Sequence, residues 1–184
     1  MRRKTAKEIL VESFRELAQS RPVDLITVQD IVRNCGYSTA TFYRQFSDKY
    51  DLIAWEHTRR VADIMGKIGV DGYTWKRTLL DGALMFERER EYLANLLRHT
   101  SGHDAFIRYK TEINYDALTR HILRVSGKER LDAALDRVVR IYVQGTVGLS
   151  CEWILGECQA TPEELAESFV LALPLPLHEY LLRE

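Results

Sequence analysis

Apolar residues recur three or four positions apart along this chain, and that spacing most constrains its fold. Over residues 4–20, the residues at this spacing are Ala6, Ile9, Leu10, Phe14, Leu17 and Ala18. Such spacing is typical of an amphipathic helix with one buried face. The chain contains no alternating run typical of a strand, and only 4 prolines and 10 glycines interrupt its 184 residues. The sequence therefore predicts an all-α fold.

A short segment near the N-terminus, CGYSTATFYRQF at residues 35–46, predicts a turn between two short helices. Thr27 can cap the first of them. Gly36 stands where a left-handed C-cap is needed, and Ser38 can cap a second short helix over 38–45. Two short helices joined by a tight turn after a longer helix are the pattern of a three-helix unit that ends in a helix-turn-helix.

The remaining pattern predicts a longer helical body. Ser47 and Asp48 open a fourth helix, and Pro174 and Pro176 are expected to stop the last one. Further helices are predicted over 74–98, with a possible break near Glu87, over 104–125, over 129–156 and over 162–173. We assign residues 1–50 to an N-terminal helix-turn-helix domain, and residues 51–184 to a C-terminal helical domain for effector binding and dimerisation.

Charge is distributed unevenly between these two parts. Residues 1–50 hold nine Lys/Arg and six Asp/Glu, a net charge of 9 − 6 = +3, whereas residues 51–184 hold 17 and 21, a net charge of 17 − 21 = −4. A basic end on an acidic body indicates a polyanionic partner at that end.

Cysteine usage and hydropathy favour a cytoplasmic location. Cys35, Cys151 and Cys158 form no CxxC pair and no metal-binding spacing. The N-terminus has no apolar signal segment, and no run of eighteen apolar residues predicts a membrane span. We therefore expect an intracellular protein with no membrane, metal or other cofactor.

The run ITVQDIVRNCGYSTATFYRQFSDKYDLI resembles the DNA-binding signature of TetR-family transcriptional regulators. The matching residues are Thr27, Val28, Ile31, Val32, Gly36, Ser38, Thr41, Phe42, Tyr43, Phe46, Lys49 and Leu52. They lie in about the first third of the chain, and the resemblance of the rest is architectural only. The resemblance implies a dimeric regulator that binds a double-stranded DNA operator.

The resemblance also implies how helix 38–45 would read DNA. Phe42 and Phe46 would hold it to the small domain, while its N-terminal residues enter the major groove. Thr39 and Ala40 would lie against bases and Tyr43 on a phosphate, with Lys49 and Thr27 meeting phosphates at helix starts. The full set of predicted DNA-binding residues is Thr27, Ser38, Thr39, Ala40, Thr41, Tyr43, Arg44, Gln45 and Lys49. Gln45 stands where the family usually has His.

The helix predicted over 129–156 is apolar on nearly every side, so every side must be covered. Either a partner subunit covers part of it or the chain's own core does. Gly145 and Gly148 each destabilise this helix by about 1 kcal/mol. Close approach of a helix from a partner subunit is one reason for glycine at these positions. We expect a homodimer through this helix and the helix at 162–173, suited to a palindromic operator. The predicted interface residues are Tyr142, Gly145, Gly148, Leu149, Leu165, Phe169 and Leu173.

A pocket for an unknown effector would lie among the middle helices of the body. The candidate lining residues are Trp75, Phe86, Tyr92, His99, Phe106, Tyr109, Tyr115 and Trp153, although residues of these types belong more often to a core than to a pocket. Two other function classes stay open. One is an enzyme, although no phosphate-binding loop, nucleophile elbow or HExxH motif is present. The other is a protein of the same fold whose body binds a partner protein.

Overall fold

The computed structural model describes residues 3–68, 70–99 and 103–182, with the side chains of 103–106 excepted. The described elements are all helical, which confirms the all-α prediction. They are α1 (Ala6–Ala18), a 3-10 turn (Val23–Leu25), α2 (Val28–Cys35), α3 (Thr39–Tyr43), α4 (Lys49–Met65), α5 (Trp75–Arg88), α6 (Arg90–His99), α7 (His103–Ser126), α8 (Ala133–Leu155), α9 (Pro162–Leu171) and α10 (Leu175–Leu181).

Local capping chemistry places the first helix boundaries as predicted. The Thr27 side chain accepts a hydrogen bond from the backbone N–H of Asp30 and opens α2. Gly36 ends that helix at φ 74°, a left-handed conformation that glycine adopts without a steric cost. The Ser38 side chain then accepts from the N–H of Thr41 and opens α3. The tight turn of the helix-turn-helix is therefore confirmed.

The break predicted near Glu87 lies at Glu89, which ends α5 just before α6 begins. The helix predicted over 162–173 ends at Leu171, before Pro174, as expected. The difference from the prediction is a further helix, α10, which begins directly between Pro174 and Pro176. Proline is tolerated in the first turn of a helix, where its missing N–H has no intrahelical partner. Burial of Leu177 then holds α10 against the body.

The side chains form two main cores. The smaller is enclosed by α1 to α3 and the start of α4, and α6 closes it with Tyr92 and Leu96. The larger lies among α5 to α10 and includes Trp153 and Leu177, both nearly fully buried. Helix α4 packs on α1 near one end and on α7 along the body, so it joins the two cores. Within the described ranges, no helix combines the length and the apolar character needed to cross a membrane.

Candidate DNA-binding surface and internal cavity

The short helix α3 rests on two buried phenylalanines. Phe42 is fully buried and Phe46 is 2% exposed, and their ring centroids lie 5.8 Å apart. The Phe46 ring packs edge-on against Trp55 at 5.9 Å, and Lys7 Nζ lies over both of these rings. Because the apolar side of α3 is fixed in this way, its opposite side is held toward solvent.

Four of the predicted DNA-binding residues lie on this solvent side. Thr39 and Ala40 are exposed in the first turn, where the helix has free backbone N–H groups. Tyr43 is 60% exposed, and Arg44 beside it is also exposed. The surface of this short helix therefore offers methyl groups from Thr39 and Ala40, together with the hydrogen-bonding side chains of Tyr43 and Arg44.

Three further predicted residues are engaged within the motif or partly covered. Ser38 Oγ lies 3.0 Å from Thr41 Oγ1, and Arg44 Nη2 donates to the same Thr41 oxygen at 3.1 Å. Gln45 is half-buried. Thr41 therefore positions Ser38 and Arg44, and its own hydroxyl already has hydrogen-bond partners.

Lys49 has contacts other than those expected of a phosphate-binding lysine. Its Nζ donates to the backbone carbonyls of Val23 at 2.8 Å, Asp24 at 3.0 Å and Ile26 at 3.0 Å. An ammonium group has three N–H donors, and these three acceptors use all of them. Burial lowers the pKa of Lys49, and the negative charge of Asp24 partly offsets this effect. The side chain ties the start of α4 to the 3-10 turn.

The start of α2 already holds a negative charge from the chain itself. Thr27 Oγ1 and the Thr27 backbone N–H donate to the Asp30 carboxylate at 2.7 Å and 2.9 Å. These hydrogen bonds, together with one from Arg21, lower the pKa of Asp30 to about 2. Thr27 is exposed, but both of its donors point at Asp30 rather than outward.

A cavity of about 110 Å³ lies in the body among α4, α5, α7, α8 and α9. Its walls are mainly apolar, with Val61, Ile64 and Met65 contributed by α4. The polar lining residues are Thr78, Lys110, Asn114, Thr146 and Ser150. An apolar cavity with a few convergent polar groups is the usual form of a small-molecule site.

Two of the eight residues predicted for a pocket, Trp75 and Phe86, line this cavity. Tyr92 and Trp153 fill the cores elsewhere. The Tyr92 hydroxyl donates to Glu56 at 2.9 Å, and the Trp153 indole N–H donates to the carbonyl of Ala160 at 2.8 Å.

The other four predicted pocket residues do not line the cavity as described. His99 and Tyr109 are exposed. Tyr115 donates to Asp136 and lies under the guanidinium of Arg140 at 4.2 Å. The side chain of Phe106 lies outside the described residues. Large aromatic residues are good candidates for either core or pocket, so their type alone could not separate the two.

The polar lining residues were missed by sequence reasoning. Lys110 is 5% exposed, and its Nζ lies 4.5 Å from the Phe86 ring centroid. A lysine on a helix is normally solvated, so nothing in the sequence around it indicates burial. The spacing of Thr146 and Ser150 could have indicated two of these polar lining residues. They stand four residues apart on an apolar helix and therefore share one face.

The predicted interface residues separate into two groups. Tyr142, Leu165, Phe169 and Leu173 are buried in the chain's own core, and the Tyr142 hydroxyl donates to the carbonyl of Phe169 at 2.9 Å. These four residues pack within the chain itself, where α9 packs on α5 and is joined to α8 by this hydrogen bond. The others, Gly145, Gly148 and Leu149, are exposed or half-buried. Ile141, one turn before Gly145, is 68% exposed and was not predicted.

A cluster of charged residues joins α1 to the body. Arg15 pairs with Glu56 at 2.6 Å and with Glu89 at 2.9 Å. Arg60 pairs with the same two carboxylates, and the Arg15 guanidinium lies 4.4 Å from the Tyr92 ring centroid. Burial disfavours the charge on Arg15, but Glu56 and Glu89 outweigh it and raise the Arg15 pKa. Burial likewise opposes ionisation of Glu89, yet Arg60 and Arg15 lower its pKa.

Comparison with protein families gives two matches. A family described as "Bacterial regulatory proteins, tetR family" matches residues 10–54, and one described as "Transcriptional regulator C-terminal region" matches residues 73–173. The HTH-type dhaKLM operon transcriptional activator DhaS of Lactococcus lactis subsp. lactis (strain IL1403) is 28% identical over 74 residues. That match spans 40% of this chain and 39% of the length of DhaS, so it covers only part of the relative.

Solved structures share the fold over nearly the whole chain. The dihydroxyacetone kinase operon activator DhaS has a TM-score of 0.67 at 17% identity, covering 96% of this chain and 98% of that one. A TetR transcriptional regulator from Rhodococcus sp. RHA1 has a TM-score of 0.65 at 17% identity, covering 94% and 97%. The TetR family repressor AlkX from Dietzia sp. has a TM-score of 0.58 at 17% identity, covering both chains fully.

Proposed function

The chain belongs to the tetR family of bacterial regulatory proteins, whose members are transcriptional regulators and not enzymes, and on that premise we propose that it is a ligand-responsive repressor. In this proposal, a cytoplasmic homodimer binds a palindromic DNA operator through residues 1–50. Residues 51–184 bind an effector and hold the dimer together. The observation that carries the proposal is α3, a short helix fixed on Phe42 and Phe46 with its other side free.

The proposed DNA contacts follow from the exposure of each side chain. Thr39 and Ala40 face bases from the first turn of α3, where a recognition helix presents its N-terminal residues to the major groove. Tyr43 donates its hydroxyl to a phosphate, and Arg44 adds a positive charge. Lys49 stabilises the motif and does not bind a phosphate, because backbone carbonyls of the motif already accept from its three donors. The other predicted residues stabilise the helix-turn-helix itself in this proposal and do not contact bases. They are Thr27, Ser38, Thr41 and Gln45.

A face of α8 supports the proposed homodimer. Ile141, Gly145 and Gly148 lie on one exposed side of this helix. A Cβ atom built at either glycine meets nothing within 4 Å among the described residues, so packing within this part of the chain does not explain why glycine stands there. Leu171 and Leu175 add exposed apolar side chains at the ends of α9 and α10. A second copy seated on this face would cover the exposed Ile141 and come close to the helix backbone.

The second candidate function is a regulator of the same fold whose effector is a partner protein. The similar protein DhaS is described as an operon activator and AlkX as a repressor, so the fold serves regulators of both signs. A body that binds a partner protein instead of a small molecule is the alternative. The lined cavity favours the small molecule, because a protein partner would need an exposed surface and not an internal cavity.

The test of DNA binding compares two tyrosines that differ only in position. Tyr43→Phe removes one hydroxyl from the proposed DNA surface, and Tyr109→Phe removes one from an exposed site on α7. On a duplex selected from a random pool, Tyr43→Phe should weaken binding by about 1.5–3 kcal/mol, the value of a hydrogen bond to a charged group. Tyr109→Phe should have no effect. Equal affinities for both variants and the unmodified protein would contradict the assignment of α3 to DNA.

A further inference from the structure

The cavity contains a positive charge that the described part of the chain does not neutralise. Lys110 is the charged residue among the described lining residues. Its ammonium group lies over the Phe86 ring, and no hydrogen bond or ion pair from it is found among the described residues. A buried charge without a partner is costly, so such a group is usually paired or performs a function.

The other polar lining groups do not supply an anion. The hydroxyls of Thr78, Thr146 and Ser150 donate to backbone carbonyls one turn earlier in their own helices, at 3.0, 3.0 and 2.7 Å. The Asn114 amide nitrogen donates to the carbonyl of Lys110 at 2.8 Å. The three hydroxyls have therefore used their donors, whereas the Asn114 amide keeps a second N–H and Lys110 keeps its N–H donors for the acceptor oxygens of a carboxylate.

A second polar group beside the cavity also has no partner. The Nε2 atom of His57, on α4, is buried and has no hydrogen bond within the described residues. Burial is the main reason that the pKa of His57 is lowered to about 3, and the positive charges of Lys110 and Arg60 lower it further. His57 is therefore neutral at physiological pH and adds no negative charge to balance Lys110.

We propose that this cavity binds a small carboxylate with an apolar body, and that Lys110 binds the carboxylate group. The proposal rests on the proposed function, since it names the chemical class of the effector. Phe86, Trp75 and the α4 residues would cover the apolar body. The cavity volume of about 110 Å³ suits a body of the size of a short branched chain or one aromatic ring, since an enclosed apolar cavity of about 150 Å³ accommodates benzene.

Binding of such a carboxylate would give a partner to the ammonium group of Lys110, which has none among the described residues. The ammonium group of Lys110 would donate to the carboxylate oxygens, as charge-assisted hydrogen bonds do. Burial lowers the pKa of Lys110 in the free protein, so an incoming anion would also stabilise its protonated form. An uncharged amide of the same shape would fill the volume without this gain.

The test measures binding of acids and their amides by calorimetry. The probes are benzoate with benzamide and isovalerate with isovaleramide. We expect each acid to bind the unmodified protein about ten- to hundredfold more tightly than its amide, as for a hydrogen bond to a charged group. This preference can be measured without any variant, so it does not depend on a variant that folds.

Three variants identify the group responsible. Lys110→Met retains most of the side-chain volume and should reduce the preference for acid to about onefold. Lys67→Met is the matched control, because Lys67 also lies over an aromatic ring but on the surface, and it should leave the preference unchanged. Gly82→Leu places a side chain at a lining position where a Cβ has free space, and it should abolish binding of acids and amides alike.

Several results would overturn the proposal. They are equal binding of acid and amide by the unmodified protein, absence of binding by both pairs, and an unchanged preference in Lys110→Met. Binding of the unmodified protein to its selected DNA duplex is measured in the same preparation. If the protein binds DNA but shows no preference for acids, the regulator stands and the carboxylate is rejected. If it binds acids but no DNA, the proposed function fails instead.

Discussion

At the residue scale, Lys49 shows why a basic residue beside a helix-turn-helix is not necessarily a DNA contact. The three carbonyls that accept from its ammonium group belong to Val23, Asp24 and Ile26, in and beside the 3-10 turn. These acceptors are created by the turn geometry, which the sequence did not predict. We therefore propose that Lys49 stabilises the shape of the motif, because these carbonyls already use its three donors.

This assignment predicts opposite behaviour for two basic residues. Lys49→Met should lower the free energy of unfolding by about 1–3 kcal/mol, because it removes a charged hydrogen-bond donor from three carbonyls. It should leave the slope of log affinity for DNA against log salt nearly unchanged. Arg44→Met, on the exposed side of α3, should reduce that slope by about 0.9, the value for one phosphate contact. If the slope for Lys49→Met also falls by about 0.9, Lys49 contacts a phosphate and this assignment is wrong.

Lys110 predicts a pH dependence of stability. Its pKa is lowered by burial, so the unfolded chain binds more protons than the folded chain between the lowered pKa and the ordinary value of about 10.4. Stability therefore rises with pH in that window. Among the described residues, His57 of α4 lies near this lysine, and Cys151 of α8 partly offsets the lowering of the lysine pKa.

The measurement is chemical denaturation of the unmodified protein and of Lys110→Met from pH 6 to pH 10. Lys110→Met should be the more stable protein at the low end, and its advantage should shrink as pH rises. A stability difference between the two proteins that stays constant over this range would show that burial does not lower the pKa of Lys110.

At the element scale, the exposed face of α8 predicts where two chains meet. Ile141→Glu should convert the dimer to a monomer, because it places a charge on the proposed apolar interface. Gly148→Leu should do the same while the monomer stays folded, since a Cβ there meets nothing within 4 Å. Leu25→Glu, at a residue 64% exposed on the small domain, is the matched control and should stay dimeric. Sedimentation velocity distinguishes these outcomes, and a dimeric Ile141→Glu protein would exclude this face.

Helix ends were predictable from sequence because capping is a local interaction. Thr27, Gly36 and Ser38 act on residues three or four positions away, so their roles follow from spacing alone. The coverage of each helix face was not predictable in the same way. The apolar period of α8 showed that Tyr142 needs a cover, but not that the cover is Phe169 of the same chain. The cavity around Lys110 likewise depends on five helices that meet only in the folded protein.

At the scale of the whole molecule, α4 connects the cavity to the DNA-binding surface. Its 17 residues give a length of about 25 Å, from Lys49 behind the helix-turn-helix to Ile64 and Met65 at the cavity wall. The charged cluster at its middle adds a second connection, because Glu56 of α4 pairs both with Arg15 of α1 and with Arg60 of α4. A ligand that tilts α4 would therefore move the recognition helix of its own subunit.

This connection predicts a coupling free energy between effector and operator of about 1–3 kcal/mol, equal in both directions. DNA fixes the two recognition helices about 34 Å apart, so a shift of a few ångströms prevents simultaneous binding. Glu89→Gln removes one carboxylate that holds both Arg15 and Arg60, and should reduce the coupling. Glu87→Gln is the control, because Glu87 pairs with Arg90 within the body.

Calorimetry of benzoate with and without operator, and of operator with and without benzoate, measures both directions of the coupling. The two factors should agree in the unmodified protein and in Glu87→Gln, and both should fall in Glu89→Gln. Equal benzoate affinity for free and DNA-bound protein would mean that the body does not signal to the helix-turn-helix.

The most direct test of the central claim is selection of duplex DNA from a random pool by the unmodified protein, followed by native mass spectrometry of the selected complex. We predict an enriched sequence of two inverted half-sites, their centres about one helical turn or a multiple of it apart, with an even number of chains on each duplex. A pool that stays random through repeated rounds, or a single chain on an asymmetric site, would contradict a dimeric operator-binding regulator.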